Sequence, residues 1–144
     1  MKFERNRFFI DSSAWLAFML QGEPNHKEVV GLMADETKSG TRFFTCDYVL
    51  DETFTRLLTS QSFSAAKKFK LLIEEAEKAR QLLILWTDAT LFKKAWGYFV
   101  KFKEHKLSFT DSLIAAMVKD FKINTILSLD QGFKKVGLNV RPRL

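Results

Sequence analysis

Phe8-Phe9-Ile10-Asp11-Ser12-Ser13 is the stretch that decides the fold of this chain. The apolar run predicts a buried strand from Arg7 to Asp11, and the serines after it predict the start of a helix. A carboxylate that directly follows a buried strand needs a reason, because burying a lone charge is costly unless it is paired or binds a cation. The stretch therefore predicts a strand–helix unit with a polar site at the end of the strand.

The same alternation of strand and helix continues along the chain. Further strands are predicted at Thr41–Thr45, Leu82–Trp86, Ile123–Leu129 and, as a short fifth, Leu138–Arg141. Helices are predicted from Ser12 or Ser13, over about 25–38, after a cap at Asp47, from Ser62 or Ser64 to about Gln81, over about 89–103 after a cap at Asp88, and over 110–121. This order predicts an α/β fold in three layers, a parallel sheet of four or five strands with helices on both faces. Without repeat or linker, residues 1–144 are predicted to form one domain.

Three more stretches place an acid at a strand end or inside an apolar helix. They are Val49-Leu50-Asp51-Glu52-Thr53, Ser108-Phe109-Thr110-Asp111-Ser112 and Leu127-Ser128-Leu129-Asp130. Ligands of parallel sheets bind beyond the carboxyl ends of the strands, and a group of carboxylates suits a hard divalent cation such as magnesium. The candidates are therefore Asp11, Glu52, Asp111 and Asp130. The simpler alternatives are turn residues at Asp11 and Asp130, a helix-start acid at Asp111, and Asp51 in place of Glu52.

Composition narrows the class of protein. The net charge of +6 favours a polyanionic partner such as nucleic acid, although solubility alone would also explain it. The single cysteine, Cys46, excludes an internal disulfide and fits a reducing cytoplasm. The N-terminal residues contain no signal-peptide core, and no run of about 18 apolar residues predicts a membrane span.

Taken together and in order, the four acidic stretches resemble those of the PIN-domain nucleases. The resemblance is carried by Ile10-Asp11-Ser12-Ser13-Ala14, by Tyr48-Val49-Leu50-Asp51-Glu52-Thr53, by the helix start at Thr110-Asp111-Ser112, and by Ile126-Leu127-Ser128-Leu129-Asp130-Gln131-Gly132-Phe133. It covers essentially the whole chain. It implies a small α/β fold, magnesium or manganese, and cleavage of single-stranded RNA. Single-domain members of this size look like VapC-type toxins of toxin–antitoxin pairs.

The resemblance and the chemistry of phosphodiester hydrolysis assign roles to the acids. Asp11, Asp111 and Asp130 are predicted to bind Mg²⁺, with Mn²⁺ as a substitute, directly or through water. Glu52 is predicted to hold a metal-bound water or to orient the nucleophile. Ser13 and Thr110 are predicted to form hydrogen bonds that fix the acids. Some family members have a further acid where this chain has Gln131 and Gly132, so a full second metal site is in question.

The expected partners are RNA, a second copy of the chain and a small antitoxin. Basic pairs near predicted element ends are the candidate RNA contacts: Lys67, Lys68, Lys93, Lys94, Lys134, Lys135, Arg141 and Arg143. A broad apolar helix face predicts a homodimer whose acidic pockets share one basic groove, its members being Leu91, Phe92, Trp96, Phe99 and Phe102. The antitoxin is expected to lay an apolar helix beside the pocket and to bring a basic side chain to the acids.

Other functions stay open at the level of sequence. A housekeeping RNA-processing nuclease and an inactive binding protein would have the same fold. A phosphoacceptor receiver domain would need paired acids near the first strand, where this chain offers only Asp11. A phosphohydrolase with an aspartate nucleophile would normally have a second aspartate two residues on, where this chain has Ser13.

Overall fold

The computed structural model describes residues 5–143 and contains the predicted parallel sheet, with five strands. The strands are β1 Arg7–Ile10, β2 Arg42–Cys46, β3 Leu82–Leu85, β4 Thr125–Leu127 and β5 Val140–Arg141. Their order is β3-β2-β1-β4-β5, and every neighbouring pair is parallel. β1 is the central strand, and its Phe8, Phe9 and Ile10 are almost wholly buried, as the apolar run predicts.

Helices cover both faces of the sheet. Within the described residues they are α1 Ser12–Met19, α2 His26–Lys38, α3 Asp47–Ser60, α4 Phe63–Lys78, α5 Ala89–Lys101, α6 Phe109–Asp120 and α7 Gly132–Lys135, with a 3₁₀ turn at Lys103–His105. The chain moves one way across the sheet from β1 through β2 to β3, and the other way from β3 through β4 to β5. Right-handed crossovers therefore place α1–α4 on one face and α5–α7 on the other. The packing agrees, because α1 contacts α2 and α3, α3 contacts α4, and α5 contacts α6.

A buried polar link ties the first helix to the ends of two strands. The indole N–H of Trp15 donates to the hydroxyl of Thr45 at 3.2 Å, and this hydroxyl donates to the carbonyl of Ile10 at 3.1 Å. Trp15 also packs edge-on against Phe69 of α4, with ring centroids 5.2 Å apart. The start of α1, which follows Asp11, is thereby fixed against β1 and β2.

The four helices that lead directly into a strand end in the same way. After α2, α4, α6 and α7 comes one residue with positive φ: Gly40 (81°), Arg80 (57°), Lys122 (53°) and Gly137 (82°). The next N–H then donates to the carbonyl five residues back, as from Thr41 to Glu36 and from Gln81 to Ala76. This is the hydrogen-bond pattern of the Schellman motif, in which a residue in the left-handed conformation ends the helix and turns the chain sharply into the strand.

These caps explain why β4 and β5 begin later than predicted. Ile123 and Leu138 were predicted to lie in strands, but their N–H groups complete the caps of α6 and α7. The prediction of Asp47 as a cap was also wrong: it is the first residue of α3, and its carboxylate accepts hydrogen bonds from the backbone and hydroxyl of Thr87 at 3.1 and 2.7 Å. Asp88 does cap α5, as predicted.

Between residues 5 and 143, the protein has no helix long and apolar enough to cross a membrane.

Candidate active site

The predicted site lies where the order of the strands reverses. β1 and β4 are neighbours in the centre of the sheet, and Ile10 pairs with Leu127. From this point the chain leads to β2 on one side and to β5 on the other. In open α/β sheets such a switch point forms a crevice at the carboxyl edge, where ligands bind. Asp11 follows β1 and Asp130 follows β4, so both lie at this edge.

Asp11 is the buried member of the site. Its side chain caps α1, with one carboxylate oxygen accepting from the N–H of Ser12 at 2.8 Å. The other oxygen accepts from the hydroxyl of Ser128 at 2.9 Å. Burial, with smaller contributions from the charges of Asp111 and Glu52, raises the pKa of Asp11 to about 6 in spite of these bonds. The carboxylate is held rigidly in a place where its charge is poorly solvated.

Ser128, which the sequence argument did not single out, connects the ends of β1 and β4. Its only proton goes to Asp11, and its oxygen accepts from the N–H of Asp130 at 3.0 Å. The hydroxyl of Ser13 lies 3.2 Å away and accepts from the N–H of Leu129 at 2.9 Å, so its own proton is directed at Ser128. Every donor in this chain has an acceptor, and such chains polarise their members. Ser13 therefore acts on Asp11 through Ser128.

Asp111 lies in the first turn of α6 and takes part in a capping box with Ser108. The N–H of Asp111 donates to the Ser108 hydroxyl at 3.0 Å, and the N–H of Ser108 donates to the Asp111 carboxylate at 3.3 Å. The pKa of Asp111 is raised by burial and then by the charge of Asp130. Thr110, predicted to fix this acid, has no hydroxyl hydrogen bond within residues 5–143. Ser108 orients Asp111 instead.

Asp130 and Glu52 lie on the open side of the site. Asp130 is exposed, and one of its oxygens accepts from the N–H of Gly132 at 2.9 Å. A methyl group on Gly132 would come within 3.2 Å of that carboxylate and 3.0 Å of Leu107, so glycine permits the close approach. Glu52 is half-buried on α3 and lies 3.7 Å from the guanidinium of Arg56. Asp51, its neighbour, is exposed.

The four acids form one electrostatic cluster contributed by four elements. Asp11, Glu52 and Asp111 repel one another, and Asp130 repels Asp111. Oxygen ligands with excess negative charge are the donor set that magnesium and manganese prefer, so the residues fit such an ion in chemical type. Among the described residues, however, no three acidic, histidine or cysteine side chains are grouped closely enough to hold a metal as they stand. Their assignment as ligands stays a prediction.

The predicted RNA contacts do not share one surface. Lys134 and Lys135 lie on α7, directly after Asp130, whereas the other lysines lie on α4 and α5, and Lys94 pairs with Asp120 at 2.7 Å. Arg141 and Arg143 line a cleft of about 920 Å³ that also includes Asn6 and Asn124, which precede β1 and β4. That cleft also includes Lys27 and Asp35, so it lies on the α2 side of the sheet. Of the predicted RNA contacts, Lys134 and Lys135 on α7 are closest in sequence to one of the four acids, Asp130.

Comparison with known proteins gives the family. The PIN-domain model matches residues 8–139, so the chain belongs to the PIN-domain family. The match spans β1 to the residue before β5 and includes all four acids. No match was found among curated proteins.

Solved structures with the same fold include toxins and toxin complexes named VapC or VapBC. Mycobacterium tuberculosis VapC20, described as a toxin that cleaves the sarcin–ricin loop, is 24% identical with a TM-score of 0.76, over 91% of this chain and 95% of that one. VapBC2 from Rickettsia felis, bound to a promoter DNA fragment, is 15% identical with a TM-score of 0.66, over 94% and 97%. VapBC-1 from nontypeable Haemophilus influenzae is 12% identical with a TM-score of 0.67, over 94% and 96%. At these identities the likeness establishes the fold.

Proposed function

We propose that this protein is a metal-dependent endoribonuclease that cleaves single-stranded RNA. The observation that carries the proposal is that four carboxylates, from four separate segments, lie near enough to the switch point of a PIN fold for their charges to interact. Burial, and to a smaller extent repulsion between these groups, raises the pKa of Asp11 and Asp111, and perturbed carboxylates of this kind are typical of a functional site.

The side chains divide the work by their exposure. Asp11 and Asp111, held by hydrogen bonds from Ser128 and Ser108, form the fixed part of a cation site. Asp130 and Glu52 are exposed enough to change rotamer and complete it. When bound, Mg²⁺ or Mn²⁺ would supply the charge that activates water and neutralises the phosphate during hydrolysis. Glu52, on the open side, is placed to accept a proton from water or to orient it.

A direct assay tests this function. The purified protein is incubated with end-labelled single-stranded RNA, with the matching duplex, and with EDTA, Mg²⁺ or Mn²⁺. We expect internal cleavage of the single strand with either metal and none in EDTA. Glu52→Gln should lose at least 100-fold in rate, consistent with removal of a general base, while Asp51→Asn, its exposed neighbour, should stay near wild type. Equal cleavage by Glu52→Gln and wild type would remove Glu52 from the mechanism.

We further propose that the protein is the toxin of a toxin–antitoxin pair. Support comes from the shared fold with VapC20, a toxin, and with the VapBC complexes. A groove of about 510 Å³ between α2 and α4, lined by apolar residues such as Trp15, Val30 and Leu72, offers a place for the apolar helix of an antitoxin. Induction of the chain alone should arrest growth, and co-expression of the neighbouring small gene should restore it.

A housekeeping nuclease and an inactive binding protein would give different results. Growth unaffected by induction, together with RNA cleavage, would indicate RNA processing. RNA binding without cleavage under any divalent metal would indicate a binding protein. Both results would contradict the toxin assignment.

A homodimer is the expected assembly. Five of the eight exposed large apolar side chains among residues 5–143 lie between 83 and 100: Leu83, Trp86, Phe92, Trp96 and Val100. The predicted stripe on α5 is partly corrected, because Leu91 is buried in the core, whereas Phe92 and Trp96 are exposed. Spacing of four residues places Phe92, Trp96 and Val100 on one side of α5, and such a stripe is typical of a contact between subunits.

A further inference from the structure

Arg56 lies at the rim of the acidic cluster. It follows Glu52 by one helical turn on α3, and its Nη1 lies 3.7 Å from the Glu52 carboxylate. The charge of Glu52 in turn acts on Asp11 and Asp111. Of the four ion pairs found within residues 5–143, this is the one that includes a predicted catalytic acid.

We propose that Arg56 binds a phosphate group of the RNA next to the bond that is cut, an assignment that rests on the proposed ribonuclease function. RNA brings negative charge to an edge that already holds four carboxylates, so docking the strand there requires a cation from the protein as well as a metal ion. A guanidinium has five N–H donors in a planar fork that matches the geometry of a phosphate.

The guanidinium is free to make this contact. Its contact with Glu52 is single and, at 3.7 Å, too long for a hydrogen bond; its side chain is 59% exposed, and no hydrogen bond from its guanidinium is found among the described residues. Its backbone carbonyl accepts from the Ser60 hydroxyl at 2.6 Å, which fixes the last turn of α3 and does not involve the guanidinium. The backbone of Arg56 is therefore fixed, and the N–H donors of its guanidinium are available to a ligand.

Glu52 orients the side chain of Arg56 but holds it only weakly. Exposed ion pairs between residues four apart on a helix are weak in water, because solvent screens both charges. Exchange of the carboxylate for a phosphate oxygen therefore costs little. It also leaves Glu52 available for its own role at the moment when the RNA is in place.

The competing explanation is an ordinary helix-stabilising pair, and the chain contains a matched example. Lys70 and Glu74 on α4 have the same spacing, and Lys70 is also 59% exposed. Lys70 lies on the apolar surface between α3 and α4, with Phe54, Leu58 and Phe63, and contacts no predicted site acid. Lys70→Ala thus removes a comparable charge and a comparable pair from another surface.

RNA affinity as a function of salt tests the proposal. Binding of a fluorescein-labelled single-stranded RNA is measured by anisotropy at several salt concentrations with Asp11→Asn as the non-cleaving parent. To this parent, Arg56→Ala, Arg56→Lys or Lys70→Ala is added. One phosphate contact contributes about 0.7 to the slope of log K against log salt for single strands. We expect Arg56→Ala to lower the slope by about 0.7, Arg56→Lys to keep it, and Lys70→Ala to leave slope and affinity unchanged.

The outcomes separate this proposal from the function on which it rests. If the parent binds RNA and wild type cleaves it, but Arg56→Ala keeps the parent's slope, the Arg56 assignment is wrong and the ribonuclease stands. Equal losses from Arg56→Ala and Lys70→Ala would also overturn it, since they would reflect general charge. If wild type neither binds nor cleaves RNA, both proposals fall.

Discussion

Asp11 is a buried carboxylate, and the stability of the protein should therefore depend on pH through this residue. Its folded pKa of about 6 lies above the ordinary value of 3.8, so the folded state holds the proton more tightly than the unfolded chain does. The contribution of this residue is thus favourable at pH 4 and is lost as the pH rises through 6. A shift of about two units corresponds to roughly 3 kcal/mol. We expect the stability of metal-free Asp11→Asn relative to wild type to rise by about 2 kcal/mol between pH 4.5 and pH 7, because only wild type loses this contribution.

Urea unfolding in EDTA at pH 4.5 and pH 7 measures this difference. Wild type should lose more stability between the two pH values than Asp11→Asn does, because the remaining acids are common to both. Parallel losses in the two proteins would show that Asp11 does not titrate in this range.

Ser128 gives a second prediction for a single residue. Ser128→Ala removes the hydrogen bond to Asp11 and leaves the N–H of Asp130 without its acceptor. Loss of such supporting groups typically costs 10–100-fold in metal affinity or activity. We expect a loss of this size in Mn²⁺ affinity, measured by calorimetry, and in RNA cleavage, with recovery in Ser128→Thr. Thr41→Ala is the control, because the hydroxyl of the buried Thr41, just before β2, donates to the carboxylate of Glu36, outside the acidic cluster. Equal loss in both alanine variants would assign Ser128 a purely structural role.

Ser128 and Ser108 also show where sequence reasoning reaches its limit. Asp11, Glu52, Asp111 and Asp130 each stand in a local pattern of strand end or helix start, which the sequence displays. Ser128 acts on a residue 117 positions away, and that contact exists only because β4 lies beside β1. Thr110 was chosen because it adjoins Asp111, but the cap position belongs to Ser108, whose backbone is extended before the helix. Adjacency in sequence does not give adjacency of side chains on a helix.

At the level of elements, the left-handed helix caps allow a stabilising change. Gly40 and Gly137 adopt positive φ easily, whereas Arg80 and Lys122 do so against their Cβ atoms. We expect Arg80→Gly to raise the free energy of unfolding by about 1 kcal/mol, since the left-handed conformation costs a non-glycine residue about 1–2 kcal/mol and glycine loses part of that gain in chain entropy. Gly40→Ala, the reciprocal change, should lower it. Chemical denaturation of both variants measures the two effects, and destabilisation by Arg80→Gly would contradict the argument.

The same caps explain why some boundaries of strands and helices could not be predicted from the sequence. The order and type of the main strands and helices follow from apolar runs and periodicity, so the sheet was predictable. The first residues of β4 and β5 were not predictable, because the caps of α6 and α7 include apolar residues that are typical of strands, Ile123 and Leu138. α7 itself is one turn long, too short for a periodic pattern.

For the whole molecule, the exposed stripe on α5 predicts the state of assembly. Trp96 lies between Phe92 and Val100 and is 57% exposed. We expect light scattering at micromolar concentration to give a dimer mass for wild type and a monomer mass for Trp96→Glu. Leu71→Glu, on α4 with 54% exposure, should remain dimeric. A monomeric wild type would refute the dimer, and dissociation by Leu71→Glu instead would move the interface to α4.

The central place of β1 has a consequence for the time at which activity arises. Asp11 is made early, but the hydroxyl that holds it belongs to Ser128, and Asp130 follows β4 near the end of the chain. While the ribosome is still translating the second half, β1 has β2 beside it and no neighbour on the other side. The proposed site therefore cannot form until β4 and Asp130 have been synthesised, although Asp11 is made more than a hundred residues earlier.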